Sequence, residues 1–186
     1  MRRTARSSVK PLVRALALAA AVSPTVTAAP LAAQAARPDD VASPEAIVAA
    51  AYAAIARPAG ETYDWDRFRT LFHPSAQLIP STEQRGGALD VLSVEGFIEW
   101  IDTDTEVGGP NDQGFSEDGI HDVIERYGDI AHVFSTYEKH LYGQTENLGR
   151  GINTFQMVFN DGRWWILSIA WDEEIGAGPI PDRYLP

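Results

Sequence analysis

The sequence contains no cysteine among its 186 residues. Disulfide bonds, thiol nucleophiles and cysteine-linked lipids are therefore excluded. Basic residues are also scarce, since 15 lysines and arginines stand against 26 acidic residues and give a net charge of −11. A chain this acidic is repelled by nucleic acid and by anionic membrane surfaces, so we expect neither as a partner.

The motifs of several large enzyme classes are missing as well. The sequence has no glycine-rich phosphate loop, no dinucleotide-binding fingerprint and no G-x-S-x-G elbow, so nucleotide chemistry and serine hydrolysis have no support. The acidic run of Asp172, Glu173 and Glu174 has no histidine at ligand spacing. We therefore predict neither a metal ion nor an organic cofactor.

The first 35 residues differ in composition from the rest of the chain. They hold five basic residues and no acid, an apolar stretch at 15–22, and a small-x-small site at Ala33, Gln34 and Ala35. The apolar stretch is far shorter than the roughly 20 residues of a membrane span, so the pattern predicts a secretory signal peptide over 1–35. The protein is then secreted or periplasmic, with a flexible N-terminus at 36–42 and a single domain at 43–186. Loss of the five basic residues changes its net charge from −11 to −16.

Three helices and five strands are predicted along the domain. Ser43, Asp64 and Ser93 each stand as a helix cap before apolar residues at helical spacing. A short strand is predicted at 76–80, and four longer strands at 115–127, 130–142, 150–160 and 163–173. Helices followed by a strand meander predict an α+β fold, with three helices packed on one face of a curved antiparallel sheet.

The last two strands form a hairpin whose register follows from its turn. A two-residue turn at Asp161 and Gly162 places Phe159 opposite Trp164, and an uninterrupted ladder places Asn153 opposite Ala170. One end of this face then carries small and polar side chains, which predicts a ligand pocket there. Its predicted lining from the hairpin is Gly151, Asn153, Ser168, Ala170 and Asp172.

The other face of the same hairpin is apolar, although no helix is predicted to cover it. Exposed patches of this kind usually mark protein–protein interfaces, and closed twofold symmetry is the commonest arrangement of identical subunits. We therefore expect a homodimer through the outer sheet face, with an interface formed by Val158, Trp165, Leu167, Ile169 and Trp171.

Two segments carry a resemblance to a known family. DWDRFRTLFHPSAQLIP and NDGRWWILSIAW, in an order of three helices and a meander, resemble the nuclear transport factor 2-like superfamily, above all its SnoaL-like and ketosteroid isomerase-like members. The resemblance covers 41–174 and implies a cone-shaped domain with a hydrophobic pocket, often in a dimer. It does not imply one activity, because the superfamily includes isomerases, dehydratases, cyclases, hydrolases and members without catalysis.

DWDRF is also similar to the corresponding helix of scytalone dehydratase. By that resemblance His121 matches one of two pocket histidines, while Ser135 stands near the place of the second. The register of the hairpin at 115–142 decides whether His121 reaches the pocket. A three-residue loop at 127–129 places it on the same face as Tyr137, whereas a two-residue turn separates them.

Two functions of different classes follow. The first is an exported small-molecule-binding domain, which we favour because no complete catalytic set can be read. Its apolar pocket is lined by Tyr52, Trp65, Phe68, Asn153, Ser168 and Ala170. The second is a cofactor-free lyase or isomerase acting on a small, mostly apolar oxygenated substrate. Its acid–base and oxyanion-stabilising set is His121, Tyr137 and Asp172.

The leader yields a first testable prediction. If residues 1–35 are a signal peptide, the exported protein begins close to Ala36, after the Ala33-Gln34-Ala35 site. Amino-terminal sequencing of protein recovered outside the cytoplasm checks this. Recovery of the chain in the cytoplasm with Met1 to Ala35 still attached contradicts the predicted localisation.

Overall fold

The structure, a computed structural model, describes residues 35–84, 86–103 and 113–186. Nearly all of the predicted signal peptide, residues 1–34, lies outside the described residues, as does most of the polar loop between the third helix and the second strand. Within the described ranges, no helix is long and apolar enough to cross a membrane.

Three capped helices begin where the sequence predicts them. Ser43 Oγ accepts a hydrogen bond from the backbone N–H of Ala46 at 3.1 Å, and Asp64 Oδ1 accepts one from Arg67 at 3.1 Å. Ser93 Oγ caps the third helix in the same way. These bonds satisfy N–H groups that have no partner inside the helix. The helices are α1 (Pro44–Ile55), α2 (Trp65–Leu71), α3 (Val94–Thr103) and a single turn, α4 (Glu174–Ala177).

Five strands form one sheet in the order β1-β5-β4-β3-β2. The strands are β1 (Phe72–Ile79), β2 (Ser116–Tyr127), β3 (Ile130–His140), β4 (Gly149–Asn160) and β5 (Arg163–Glu173). The meander from β2 to β5 is antiparallel, as predicted, while β1 runs parallel to β5 and makes the sheet mixed. Helices on a mixed sheet confirm the α+β class.

The core lies between the helices and one face of the sheet, which we call the inner face. Ile47 and Val48 of α1, Leu71 of α2, and Trp164 and Ile166 of β5 are almost completely buried there. Each such side chain contributes about 1.5–3 kcal/mol on burial, and this layer holds the helices against the strands.

A β-bulge at Leu167 divides β5 into two registers. Phe159 pairs with Trp164 and Met157 with Ile166, as predicted, but Gln156 then pairs with Ser168, and Leu167 has no partner. Because side chains alternate between faces, the extra residue turns every later side chain to the opposite face. The inner face of β5 therefore consists of Trp164, Ile166, Ile169, Trp171 and Glu173.

The bulge corrects the predicted dimer patch. Ile169 is only 7% exposed, and Trp171 packs against Phe97 of α3 with ring centroids 5.8 Å apart, so neither belongs to the outer face. Val158, Trp165 and Leu167 remain there. The C-terminal segment also covers part of this face, since the ring of Tyr184 stacks on that of Phe134. Homodimer formation stays a prediction.

Of the two turns considered for the hairpin of β2 and β3, the structure has the two-residue turn. Tyr127 pairs with Ile130, and His121 pairs with Thr136. A second bulge, at Ile120, follows, so that Tyr137 pairs with Gly119. His121 and Tyr137 therefore lie on opposite faces, and the predicted convergence of these two side chains was wrong.

Candidate functional site

A cavity of about 410 Å³ lies between the helices and the inner face of the sheet. Its wall is mostly aromatic and aliphatic, and a smaller number of polar side chains lie in it. The aromatic members are Tyr52, Tyr63, Trp65, Phe68, Phe97, Trp100, Phe115, Phe155 and Trp171. The polar members are Gln84, Glu117, Lys139, Asn153 and Glu173. An apolar cavity with a few polar groups is the usual form of a small-molecule site.

The rings of α2, α3 and β5 form a continuous wall. Phe97 stands nearly perpendicular to Trp171, at 86°, and to Trp100, at 76°. Trp100 and Trp171 lie within 16° of parallel, with centroids 6.4 Å apart. Trp65 and Phe68 extend the wall along α2, with centroids 5.5 Å apart. Edge-to-face packing of this kind stabilises the rings in fixed orientations.

A chain of hydrogen bonds joins four polar side chains at the mouth of the cavity. The Lys139 ammonium lies 2.6 Å from Glu173 Oε2, and Gln84 Nε2 donates to Glu173 Oε1 at 2.6 Å. The indole N–H of Trp171 donates to Gln84 Oε1 at 2.8 Å. This chain fixes the Trp171 ring and uses the charge of Lys139 to balance Glu173.

A second hydrogen-bonded group lies deeper, where α1 crosses the sheet. Asn153 Nδ2 donates to the Tyr52 hydroxyl at 3.2 Å, and that hydroxyl lies 2.7 Å from Ser135 Oγ. Gly119 permits this approach, because a Cβ there would lie 2.9 Å from the Tyr52 ring. Burial raises the pKa of Tyr52, so its hydroxyl stays protonated and acts as a neutral hydrogen-bonding group.

The surroundings of Glu117 shift the pKa of its carboxyl group. Desolvation raises its pKa to about 7, with a smaller contribution from the charge of Glu173. Lys139 and a hydrogen bond from Asn153 act in the opposite direction. Its cross-strand partner is Lys139, so both side chains belong to the inner face. A carboxyl group that changes charge near neutral pH is suited to proton transfer.

The structure places four predicted pocket residues around the cavity and moves others away from it. Tyr52, Trp65, Phe68 and Asn153 line it. Ser168, Ala170 and Asp172 follow the bulge at Leu167 and therefore lie on the outer face, which corrects their predicted position. Ala170 and Asp172 border a separate groove of about 480 Å³ beneath the C-terminal segment.

The predicted catalytic set of His121, Tyr137 and Asp172 is not brought together. His121 lies on the outer face because the hairpin of β2 and β3 has a two-residue turn. Asp172 lies on the outer face because it follows the bulge at Leu167. Tyr137 is on the inner face but only 1% exposed, and its ring covers Gly151, where a Cβ would collide with it. Burial raises the pKa of Tyr137, which keeps it protonated as a packing residue below the cavity.

Glu117, Lys139 and Glu173 are charged residues of the cavity that the sequence prediction missed. One signal for Glu173 was present in the sequence: the large apolar residues Trp164, Ile166, Ile169 and Trp171 are spaced by two, three and two. A step of three inside a period of two indicates a bulge. No comparable spacing precedes Glu117, since β2 carries charged residues on both faces.

Comparisons with known proteins find similar solved structures. No family model and no curated protein matches the sequence. A nuclear transport factor 2-like protein of unknown function from Silicibacter pomeroyi is 19% identical over 69% of this chain and 91% of that chain, with a TM-score of 0.46. A domain of unknown function with a cystatin-like fold from Nostoc punctiforme is 14% identical over 75% and 79%, with a TM-score of 0.48.

A third solved structure, from Parabacteroides distasonis, has a provisional description as a ketosteroid isomerase. It is 16% identical over 70% of this chain and 86% of that chain, with a TM-score of 0.48. The likeness concerns the fold alone.

The pKa of Glu117 predicts how stability depends on pH. Folding raises this pKa from 4.5 to about 7, so the folded state holds the proton more tightly than the unfolded state. The stabilisation is complete below the unfolded pKa and is lost as the pH rises through the folded pKa. Relative to Glu117→Gln, the wild-type free energy of unfolding should fall by about 3 kcal/mol across this range.

Urea unfolding of both proteins between about pH 4 and pH 8 measures this difference. Asp172→Asn is the control, because it removes one carboxylate from the outer face and should leave the pH profile of the wild type almost unchanged. Parallel profiles for wild type and Glu117→Gln would show that this carboxyl group is fully hydrated.

Proposed function

We propose that this protein binds a small, mostly apolar molecule that carries one polar group, in the cavity between the helices and the inner face of the sheet. The observation that carries this proposal is the composition of the cavity wall. Aromatic rings of α2 and α3 line the cavity together with Glu117, Lys139, Asn153 and Glu173 of the strands.

The size and lining of the cavity support this function. Its volume of about 410 Å³ falls within the range of roughly 300–1,000 Å³ that is usual for ligand sites. A ligand that transfers apolar surface from water to these rings gains about 25 cal/mol for each Å² buried. The polar side chains then orient the ligand, because an unpaired polar group in the apolar part of the wall is costly.

Filling the cavity from α1 tests this proposal. Ala51 lines the cavity and Ala53 of the same helix is exposed, so Ala51→Leu and Ala53→Leu add the same atoms inside and outside the site. The neutral fluorescent probe N-phenyl-1-naphthylamine should bind wild type and Ala53→Leu alike. Ala51→Leu should weaken its binding about ten-fold or more, since the leucine occupies the probe's space.

Fluorescence titration measures the three affinities, and near-ultraviolet circular dichroism reports whether each variant keeps its tertiary packing. Equal probe binding by folded Ala51→Leu and Ala53→Leu would place the probe elsewhere. Absence of binding to the wild type would contradict the proposal directly.

A second function is favoured by Glu117, which we propose as a general base for proton transfer next to a carbonyl group. Its pKa of about 7 is matched to a base that works near neutral pH. The ionised carboxylate would take a proton from one carbon and return it to another, so an isomerisation of this kind needs no cofactor. Asn153 N–H and the Lys139 ammonium are two cavity groups able to stabilise the negative oxygen of the intermediate.

Deuterium exchange tests this activity without knowledge of the substrate. If Glu117 is the base, the protein accelerates exchange of the α-hydrogens of a small cyclic unsaturated ketone in D₂O, followed by proton NMR. Glu117→Gln should reduce the rate about 100-fold or more. His121→Ala and Asp172→Asn lie on the outer face and should retain it. Equal rates for Glu117→Gln and wild type would remove this function and leave the binding proposal intact.

A further inference from the structure

We infer that the polar group of the ligand is cationic: the cavity is built for an apolar amine or quaternary ammonium compound, with its charge placed between Glu117 and the rings of Phe97, Trp100 and Trp171. This inference rests on the proposed binding function and specifies the ligand class. It follows from the charges of the side chains that line the cavity and from the aromatic rings in its wall.

The charged side chains that the structure describes in the cavity do not balance when Glu117 is ionised. Among the described residues, the cavity is lined by two carboxylates and one ammonium, namely Glu117, Glu173 and Lys139. The ammonium contacts Glu173 at 2.6 Å, and no salt bridge reaches Glu117 in the part of the chain that the structure describes. Among these described groups, an ionised Glu117 therefore leaves one negative charge that Lys139 does not compensate. A buried charge without a counter-ion is costly, and a bound cation removes that cost.

Among the described residues, the other groups near Glu117 do not supply a second cation. The side chain of Asn153 carries no charge, and Tyr52 and Tyr137 are neutral because burial raises the pKa of each. The charge of Lys139 acts on it from across the strand pair, and that of Glu173 opposes this effect. The groups facing Glu117 thus disfavour an anionic ligand, which would add a second unpaired negative charge.

The aromatic wall supplies the second half of a cation site. The faces of aromatic rings carry partial negative charge, and tryptophan attracts cations most strongly. Trp100 and Trp171 are near-parallel, and Phe97 is nearly perpendicular to both, so ring faces point in two different directions within one small region. A methylated ammonium group is apolar enough to pack on these rings and charged enough to pair with Glu117.

The inference makes the pH dependence of binding depend on ligand charge. A cation favours the ionised form of Glu117, so its affinity should increase as the pH rises through the titration of that group. A neutral ligand of the same shape further desolvates the carboxylate, so its affinity should decrease over the same range. Affinities that change in opposite directions with pH for the two ligands distinguish a cation site from an apolar cavity.

Benzyltrimethylammonium and neopentylbenzene are the matched probes, because they differ in shape only by nitrogen in place of a carbon. Each probe is used to displace N-phenyl-1-naphthylamine from the full chain at about pH 6 and about pH 8. These titrations give the affinity of each probe below and above the pKa of Glu117. At the higher pH, the ammonium should bind at least about ten-fold more tightly than the neutral probe. Glu117→Gln should remove most of this preference, whereas Asp172→Asn, with the same change in net charge, should keep it.

The outcomes separate this inference from the proposed function. Neutral binding that equals or exceeds ammonium binding in the wild type overturns the cation site and leaves a ligand-binding cavity. The same conclusion follows if the fluorescent probe binds and the ammonium does not displace it. Failure of all three probes overturns the proposed function itself. An ammonium preference that is unchanged in Glu117→Gln also overturns the inference, because the charge must then lie elsewhere.

Discussion

Two single-residue bulges determine which side chains the sheet presents to the helices. One lies at Ile120 in β2 and the other at Leu167 in β5. Each shifts the alternation of its strand by one residue, so that Glu117 faces inward in place of Asp118, and Glu173 in place of Asp172. Without the bulges, both carboxylates of the cavity would lie on the outer face. The polar part of the candidate site depends on this geometry.

The bulge at Leu167 explains why β5 has apolar residues at both its even-numbered and its odd-numbered positions. Trp164 and Ile166 face inward before Leu167, and Ile169 and Trp171 face inward after it, so one continuous inner face draws on both sets. The large rings on this face prevent α3 from packing closer to the sheet, and Phe97 of α3 contacts Trp171 edge to face. Phe97, Trp171 and the carboxylates of Glu117 and Glu173 all line the cavity, and both carboxylates are half-buried.

Much of the fold was predictable because its signals are local. The caps at Ser43, Asp64 and Ser93 each combine one side chain with the N–H groups of the next turn, so a few residues suffice to recognise them. Turns at Gly128 and Gly162 are similarly local, with positive φ at each glycine. Tyr52, Trp65 and Phe68 were placed by helical spacing alone.

The rest of the site depended on contacts between distant segments. A bulge forms where packing on both sides of a strand favours it, and here β1 joins β5 with its own irregularity between Phe72 and Gln77. Sequence spacing gave a hint at Leu167 and none at Ile120. A shift of one residue places Ile169, Trp171 and Glu173 on the inner face, where the sequence predicted Ser168, Ala170 and Asp172.

Thiol labelling at two adjacent positions tests the bulge most directly, because the sequence has no cysteine of its own. Ser168→Cys and Ile169→Cys each introduce one thiol, and a charged methanethiosulfonate reagent reports how accessible it is in the native protein. The bulged register predicts that the cysteine at 168 reacts at least about ten-fold faster than the one at 169, whose native side chain is 7% exposed. Faster labelling at 169 would indicate an uninterrupted ladder and would contradict the assignment of the inner face.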